Sequence, residues 1–191
     1  FLKIKYLEKF KVKSVLDYVS EGENNSESFD NNTNIIVSNI IRLGKECPGN
    51  YVSVKITGLE NPKFLTYCNG MKLVNDLIIL PRFDRLINRI DLICKTAHAS
   101  KVIVFIDAED RCMQDLFDEI TETMVEKYNT EYAVVFNTLQ MYLKDRLEYL
   151  NSLIENANKQ NYIPGIKLVR GAYVEKEREK AIKDGVVSPV F

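Results

Sequence analysis

Short apolar segments alternate with longer amphipathic segments along the chain. Five of the short segments are rich in β-branched or aromatic residues and are bounded by polar or turn residues, which is typical of buried strands. The pattern therefore predicts five strands. They are SVLDYV (residues 14–19), YVSVKITGL (51–59), KVIVFIDAED (101–110), YAVVFNTLQ (132–140) and GIKLVRGAY (165–173).

Three of the intervening segments carry apolar residues at helical spacing, which predicts helices that pack against a sheet. Pro81 suits the first turn of the first of them, and Asn61 with Pro62 predicts the start of a further short helix. Residues 21–33 are polar and predict a loop that leads to a helix at residues 34–47. The three apolar stripes are Phe83, Leu86, Ile87, Ile90, Ile93 and Ala97; Met113, Leu116, Phe117, Ile120 and Met124; and Leu143, Leu147, Leu150 and Ile154.

The alternation of strands and helices predicts an α/β fold with parallel strands and helical crossovers. Two architectures fit this order, an open doubly wound sheet and a (β/α)8 barrel. The first strand is not followed by G-x-G-x-x-G, which weakens the case for a dinucleotide-binding sheet. Five strands cannot close an eight-stranded barrel, so the barrel interpretation implies that about three βα units are missing, on the C-terminal side.

The chain begins at Phe1 rather than at a methionine, and residues 188–191 form no evident element. We therefore expect residues 1–191 to be a single catalytic domain that is truncated on its C-terminal side and also at its N-terminus. The length is sufficient for one domain with a substantial core.

The composition is that of a soluble globular domain. Of the 191 residues, 46% are apolar and 28% are charged, and the formal net charge is −1. This balance gives no indication of nucleic-acid binding. Apolar runs long enough to span a membrane do not occur.

Four cysteines and one histidine limit the metal and redox chemistry that can be expected. Cys47, Cys68, Cys94 and Cys112 are widely spaced and form no Cys-x-x-Cys pair, and the single histidine is His98. This spacing predicts neither a zinc site nor a disulfide scaffold. We expect buried, reduced thiols and no metal site.

Polar residues recur where the predicted strands end. Barrel enzymes place their catalytic residues at the C-terminal ends of strands, and doubly wound sheets use the same end. These residues are Lys55 and Thr57; Asp107, Glu109 and Asp110; Asn137, Thr138 and Gln140; and Lys167, Arg170 and Gly171.

Asp107 is the first polar residue after an apolar run and shares a strand face with Ile103 and Phe105. It therefore belongs at the rim of the core, where it could be catalytic, or it could cap the next helix or a turn. Glu109 and Asp110 are expected to favour the N-terminus of the helix that follows.

Three cations lie in or next to apolar strands. Lys55 requires an anionic partner or a depressed pKa there, unless it lies at an edge with its ammonium group in water. Arg170, followed by backbone N–H groups, could bind phosphate or could pair with a helix carboxylate. Lys167 shares a strand face with Gly171, which would allow the backbone to approach a ligand closely.

Five stretches carry a resemblance to a known family. They are SVLDYVSEGE (from residue 14), VSVKITGL (52), FIDAED (105), VFNTLQMYLKDRLEYL (135) and KLVRGAYVEKERE (167), and their order and spacing cover nearly the whole chain. On these motifs the chain resembles the proline dehydrogenases, which are flavoenzymes built on a (β/α)8 barrel.

The resemblance implies substrate-binding and catalytic roles. Lys55 matches the lysine that receives the substrate carboxylate, and Tyr173 matches the residue that closes over bound proline. Asp107 matches the aspartate beside substrate and flavin. Lys167 takes the place of a basic residue, often arginine, near flavin N5, and a lysine offers a point charge where arginine offers a fork.

The resemblance also implies FAD as cofactor. Ala108 would approach the flavin through its backbone, and Gln140 would hydrogen-bond the isoalloxazine ring. The segment along the flavin and its phosphates would consist of Val169, Arg170, Gly171 and Ala172.

The implied reaction is the first step of proline catabolism, the oxidation of L-proline to 1-pyrroline-5-carboxylate by hydride transfer to FAD. Electrons would pass to a membrane quinone, which implies a peripheral membrane contact from the bacterial cytoplasm or the mitochondrial matrix. Two alternatives remain: a Schiff-base barrel lyase that uses Lys55 or Lys167 as its amine, and a truncated barrel without catalytic activity. We expect residues 1–191 alone to bind FAD poorly and to be inactive.

Overall fold

The structure is a computed structural model that describes residues 1–18, 25–69 and 80–191. Its centre is one parallel sheet with the strand order β1-β2-β3-β4-β5. All five predicted strands are present, although Val19, at the end of the first predicted strand, lies outside the described residues. The strands are β1 (Val15–Asp17), β2 (Tyr51–Val54), β3 (Ile103–Ile106), β4 (Val135–Gln140) and β5 (Ile166–Val169).

The strand order decides between the two predicted architectures. Each strand lies beside the strand that precedes it in the chain, so every crossover moves one position in the same direction. A doubly wound sheet reverses direction at a switch point, and a (β/α)8 barrel does not. The topology is that of five consecutive βα units of a barrel.

Seven helices surround the sheet in the described part of the chain, together with a 3₁₀ turn at Ile56–Gly58. Asn61 accepts a hydrogen bond from the Lys63 backbone at 2.9 Å and so begins α3 as predicted. The helices are α1 (Leu2–Glu8), α2 (Ser26–Glu46), α3 (Pro62–Asn69), α4 (Leu80–Ser100), α5 (Arg111–Tyr128), α6 (Arg146–Gln160) and α7 (Val174–Asp184).

Helix α2 begins earlier than the sequence predicts. The side chain of Asn25 accepts a hydrogen bond from the Ser28 backbone N–H at 2.8 Å, which caps a helix starting at Ser26. The predicted loop over residues 21–33 is therefore wrong for residues 26–33. Residues 21–24 of that loop lie outside the described residues.

The hydrophobic core fills the space between one face of the sheet and the helices. Val52, Val54, Val104 and Ile106 are buried on this face and belong to the same cluster as the apolar stripes of α4 and α5. These two stripes are confirmed. Three of the cysteines, Cys47, Cys68 and Cys94, are buried in this core, and Cys112 is half-buried.

The predicted stripe of α6 is wrong for Leu147 and Ile154, whereas Leu143, which precedes the helix, is buried and Leu150 is half-buried. Leu147 is 60% exposed and Ile154 is 42% exposed, while α6 buries Leu153, Ala157 and Arg146. The helix is turned this way because the guanidinium of Arg146 reaches the buried carboxylate of Asp118 on α5, with Nη1 and Oδ2 2.6 Å apart.

The other face of the sheet carries half-buried aromatic side chains. The rings of Tyr51 and Phe105 stack with centroids 5.4 Å apart, and Phe105 meets Phe136 edge to face at 5.6 Å. This face corresponds to the inside of a barrel. Among the described strands β5 has β4 as its single partner, and Leu168 on β5 is 58% exposed.

Asn129 fastens the opposite end of the sheet, where strands begin. Its side-chain oxygen accepts hydrogen bonds from the backbones of Val134 and Val135, and its side-chain nitrogen donates to the carbonyls of Val135 and Ile163. Gly165 passes so close that a Cβ atom there would lie 2.1 Å from the Val135 carbonyl oxygen.

In the described residues, no helix is both long and apolar enough to cross a membrane.

Candidate active site

Four polar side chains form one row across the C-terminal edge of the sheet. Thr138 on β4 pairs with Lys167 on β5, and the register of the neighbouring strands continues this row to Asp107 and Lys55. All four belong to the sheet face that carries the aromatic residues. The row brings together side chains from positions that are far apart in the sequence.

Lys167 and Asp107 form an ion pair at the centre of this row. Lys167 Nζ lies 2.6 Å from Asp107 Oδ1 and 5.1 Å from the centroid of the Phe105 ring. The two side chains are 28% and 17% exposed, so the pair is partly shielded from solvent. Asp107 does not cap α5, because Asp110 accepts the hydrogen bond from the Cys112 backbone at the start of that helix.

Lys55 stands at the end of the row, immediately after β2. It is half-buried and precedes the 3₁₀ turn at Ile56–Gly58. Within the described ranges, no carboxylate lies at ion-pair distance from its ammonium group. The site therefore contains one cation in an ion pair, Lys167, and one without an ion pair, Lys55, whose charge acts on the carboxylate of Glu109.

Glu109 is a buried residue of the site whose position the sequence did not reveal. Its carboxylate accepts hydrogen bonds from Thr57 N at 3.1 Å and from Thr57 Oγ1 at 2.6 Å. Burial raises the pKa of Glu109, against the hydrogen bonds from Thr57, which lower it. The expectation that Glu109 serves the N-terminus of α5 is wrong, since its carboxylate points to the end of β2.

Gln140 ends β4, two residues after Thr138, and is almost fully buried. Its Nε2 donates a hydrogen bond to the Glu109 carbonyl at 2.8 Å, so the ends of β3 and β4 are joined. Two further hydroxyl groups on the same face, Ser53 Oγ and Thr138 Oγ1, are buried without a hydrogen-bond partner in the described structure.

Gly171 owes its identity to a close contact within the protein. Its φ is +106°, and a Cβ atom there would lie 2.0 Å from the ring of Tyr142 and 2.9 Å from Gln140 Oε1. Tyr142 therefore accounts for a glycine at this position, and the close approach of a ligand to Gly171 stays a prediction. Burial raises the pKa of Tyr142 to about 12, so its hydroxyl remains protonated at neutral pH.

The remaining predicted residues surround the row at different depths. Ala108, Val169 and Tyr173 are half-buried, whereas Arg170 and Ala172 are exposed. In the described part of the chain, Arg170 is in no ion pair, so the alternative of a helix carboxylate as its partner is not observed. Lys176 approaches the Tyr173 ring and pairs with Asp110.

Among residues 1–18, 25–69 and 80–191, no group of three or more His, Cys, Asp or Glu side chains could hold a metal ion.

Comparison with known proteins identifies the family. The sequence model of the family described as proline dehydrogenase matches residues 2–191. The chain belongs to the proline dehydrogenase family. The resemblance drawn from the five sequence motifs is thereby confirmed.

Two curated relatives illustrate how the chain aligns within the proline dehydrogenase family. The mitochondrial proline dehydrogenase 1 of Drosophila melanogaster is 41% identical over 108 residues, which cover 56% of this chain and 16% of the relative. The carbapenem antibiotics biosynthesis protein CarD of Pectobacterium carotovorum is 30% identical over 185 residues, covering 95% of this chain and 47% of the relative. The chain thus spans less than half the length of either relative.

A solved structure confirms the fold. Proline utilization A from Bdellovibrio bacteriovorus, inactivated by N-propargylglycine, superposes with a TM-score of 0.78 at 22% identity, covering 100% of this chain and 20% of that one. Together with the strand order, this match confirms the predicted incomplete (β/α)8 barrel with five βα units.

Proposed function

We propose that this chain forms part of an FAD-dependent enzyme that oxidises L-proline to 1-pyrroline-5-carboxylate. The observation that carries the proposal is the row of Lys55, Asp107 and Lys167 at the C-terminal edge of the sheet in a chain of the proline dehydrogenase family. A barrel places its catalytic residues at this edge.

The substrate would be held through its carboxylate. Lys55 is a half-buried cation without an ion-pair partner in the described residues, and a charge-assisted hydrogen bond to a carboxylate would satisfy it. Asp107, two residues after Phe105, would lie beside the substrate ring. Tyr173, half-buried at the start of α7, would close over the bound proline.

The residues of the row fit a flavin ring. The unpaired Thr138 hydroxyl, the ammonium group of Lys167 and the amide of Gln140 offer the polar contacts that such a ring requires. Residues that would hold FAD are Ala108, Gln140, Lys167, Val169, Arg170, Gly171 and Ala172. When bound, FAD would accept the hydride that leaves the proline ring carbon while the proline nitrogen loses a proton.

Lys167 would place positive charge where the reduced cofactor gains negative charge. Asp107 fixes the lysine ammonium at 2.6 Å and therefore orients it. A lysine cannot make the bidentate contact of the arginine that often occupies this position in the family, so hydrogen bonding near N5 is the property that this residue would alter.

Electrons would leave the enzyme to a membrane quinone, which requires a peripheral contact with the membrane. The relative from Drosophila melanogaster carries the name of a mitochondrial protein. The location that follows is the mitochondrial matrix and inner membrane in a eukaryotic cell, or the cytoplasmic side of the inner membrane in a bacterial cell.

Two alternative functions have less support. A Schiff-base lyase requires an uncharged amine, and Lys167 is held in an ion pair with Asp107. Borohydride trapping of a carbonyl substrate on Lys55 or Lys167 would favour that alternative. A non-catalytic truncated barrel would be favoured if the full-length gene product failed to bind FAD.

The test is a flavin absorbance spectrum of the full-length gene product, recorded without oxygen before and after addition of L-proline. Loss of the oxidised flavin band on adding proline supports the proposal and makes Asp107, Gln140 and Lys167 the next residues to substitute. A colourless protein contradicts it.

A further inference from the structure

We propose that Glu109 is a positioning residue, which holds the β2 end that carries Lys55 in place against the β3 end that carries Asp107. This inference rests on the proposed function, because it concerns where Lys55 stands relative to the substrate carboxylate. Nothing in the sequence pattern assigns this role, since Glu109 and its partner Thr57 are 52 positions apart.

The carboxylate of Glu109 ties two strand ends together. One oxygen accepts from the Thr57 backbone N–H and the other from the Thr57 hydroxyl. Thr57 lies in the 3₁₀ turn that Lys55 immediately precedes, and the Gly58 N–H donates to the Lys55 carbonyl at 3.0 Å. Holding Thr57 therefore fixes the turn from which the Lys55 side chain extends.

The backbone of Glu109 is held as firmly as its side chain. Its N–H donates to Gln114 Oε1 at 3.1 Å, and its carbonyl accepts from Gln140 Nε2 at 2.8 Å. All the polar groups of this one residue are thus engaged, with partners from three other elements: the turn after β2, helix α5 and strand β4.

Through Gln114, the backbone of Glu109 is connected to a network of buried side chains. Gln114 Nε2 donates to Asp118 Oδ1 at 2.9 Å, and Asp118 also accepts from Asn137 Nδ2 at 3.1 Å and from Arg146 Nη1 at 2.6 Å. These four side chains are all at least 95% buried. The position of Glu109 is therefore set by packed helices and a strand.

Burying a charged carboxylate costs free energy, and a neutral side chain could make purely structural hydrogen bonds at a lower cost. Glu109 is 6% exposed, and a buried charge is costly unless it is well hydrogen-bonded. A neutral amide could also hold Thr57, accepting from its N–H and donating to its hydroxyl oxygen. The test can therefore separate the tie itself from the charge of the carboxylate.

The experiment compares Glu109→Ala, Glu109→Gln and Thr57→Val in the full-length gene product loaded with FAD. We expect Glu109→Ala to raise KM for L-proline by about 10-fold while kcat changes by less than about 3-fold, because a displaced Lys55 weakens binding of the substrate carboxylate. Glu109→Gln should restore KM to within about 3-fold of the wild type, and Thr57→Val, which loses one of two hydrogen bonds, should lie between. Glu119→Ala, which removes an exposed carboxylate from α5, is the matched control.

A second readout does not depend on activity. Hydrogen exchange of the Thr57 amide should be faster in Glu109→Ala by about 10-fold and close to wild type in Glu109→Gln, since the Thr57 N–H loses its acceptor in the first variant alone. An unchanged exchange rate of the Thr57 amide in Glu109→Ala would contradict the proposal that Glu109 holds Thr57 in place.

A melting temperature that falls in Glu109→Ala while KM stays within about 2-fold would show a structural role alone and overturn the proposal. Failure of the proposed function looks different. In that case the wild-type protein binds no flavin and does not respond to proline, and the proposed positioning role of Glu109 is contradicted as well. Hydrogen exchange of the Thr57 amide still reports whether Glu109 holds Thr57.

Discussion

Lys55 and Lys167 are both lysines of the candidate site, and they differ in whether a carboxylate pairs with them. Lys167 is paired with Asp107 at 2.6 Å, whereas Lys55 has no ion-pair partner in the described structure. A paired cation attracts an anionic ligand less strongly than an unpaired one, because the carboxylate of its partner already neutralises its charge. Of the two, Lys55 is the residue from which we expect the stronger effect on substrate binding.

Substitution of Lys55 by methionine keeps most of the side-chain volume and removes the charge. In the full-length gene product we expect KM for L-proline to rise by about 10-fold or more with a smaller change in kcat, because a charge-assisted hydrogen bond is lost. Steady-state kinetics test this, with Lys159→Met on the exposed face of α6 as control. An unchanged KM would remove Lys55 from the substrate site.

Glu122 provides a prediction about pH. Burial raises the pKa of Glu122, and the charge of Asp118 adds to this effect, while a hydrogen bond from Tyr149 opposes it. A carboxyl group whose pKa is raised in the folded state destabilises that state once the pH exceeds the unfolded value of about 4.3. The destabilisation grows as the pH rises through the folded pKa and is absent below the unfolded value.

Glu122→Gln removes this titration and keeps an oxygen to accept the hydrogen bond of the Tyr149 hydroxyl. We expect the variant to be more stable than the wild type near pH 7, and the difference to disappear as the pH falls below about 4. Urea unfolding at several pH values measures this. A difference that does not change with pH would contradict the prediction.

The sequence identified those site residues that follow an apolar run directly. Asp107 was found this way, with a capping role left open beside a catalytic one, whereas Lys167 stood out as a cation inside an apolar strand. Glu109 and Thr57 were not recognised as partners, since no periodicity links positions 52 apart. Gly171 was linked to ligand approach, and the structure shows the ring of Tyr142 at that point.

Asn129 carries the clearest prediction at the scale of elements, because it joins α5, β4 and the segment before β5 through four side-chain hydrogen bonds. Asn129→Ala leaves buried backbone groups without partners, and we expect the free energy of unfolding to fall by about 3 kcal/mol. Chemical denaturation gives this value. Asn151→Ala on the exposed side of α6 should change it by less than about 0.5 kcal/mol, and equal effects of the two variants would contradict the prediction.

The apolar stripes of α4 and α5 were predicted well, and the buried face of α6 was not. The stripes on α4 and α5 match the buried residues. On α6 the buried face is set by Arg146, whose attraction to Asp118 cannot be read from a pattern of apolar residues. The start of α2 was missed because its first turns are polar, and the cap at Asn25 gave the only local signal.

Among the described residues, β5 has β4 as its single strand partner, and the inner face of the sheet is partly covered. Leu168 on β5 is 58% exposed, and Phe105 and Phe136 on the inner face are half-buried. We expect the purified 191-residue chain to bind FAD poorly and not to oxidise L-proline, because five strands do not enclose a barrel interior. Flavin absorbance after gel filtration and proline-dependent dye reduction test this. Turnover by the purified chain would refute it.

At this scale the sequence left two architectures open. Both alternate strands and helices, and both use the C-terminal ends of strands, so residue patterns alone could not separate them. The motifs shared with proline dehydrogenases favoured the barrel. The physical distinction is the order of strands in the sheet, which depends on contacts between distant segments.

The same strand order bears on how the protein is made. Each of β2 to β5 pairs with the strand synthesised just before it, so each of these four finds one partner already made when it leaves the ribosome. Each new βα unit can dock as soon as it is translated, and the growing edge is always the most recent strand. Until the next unit docks, each new strand presents an unpaired edge that a chaperone would have to shield.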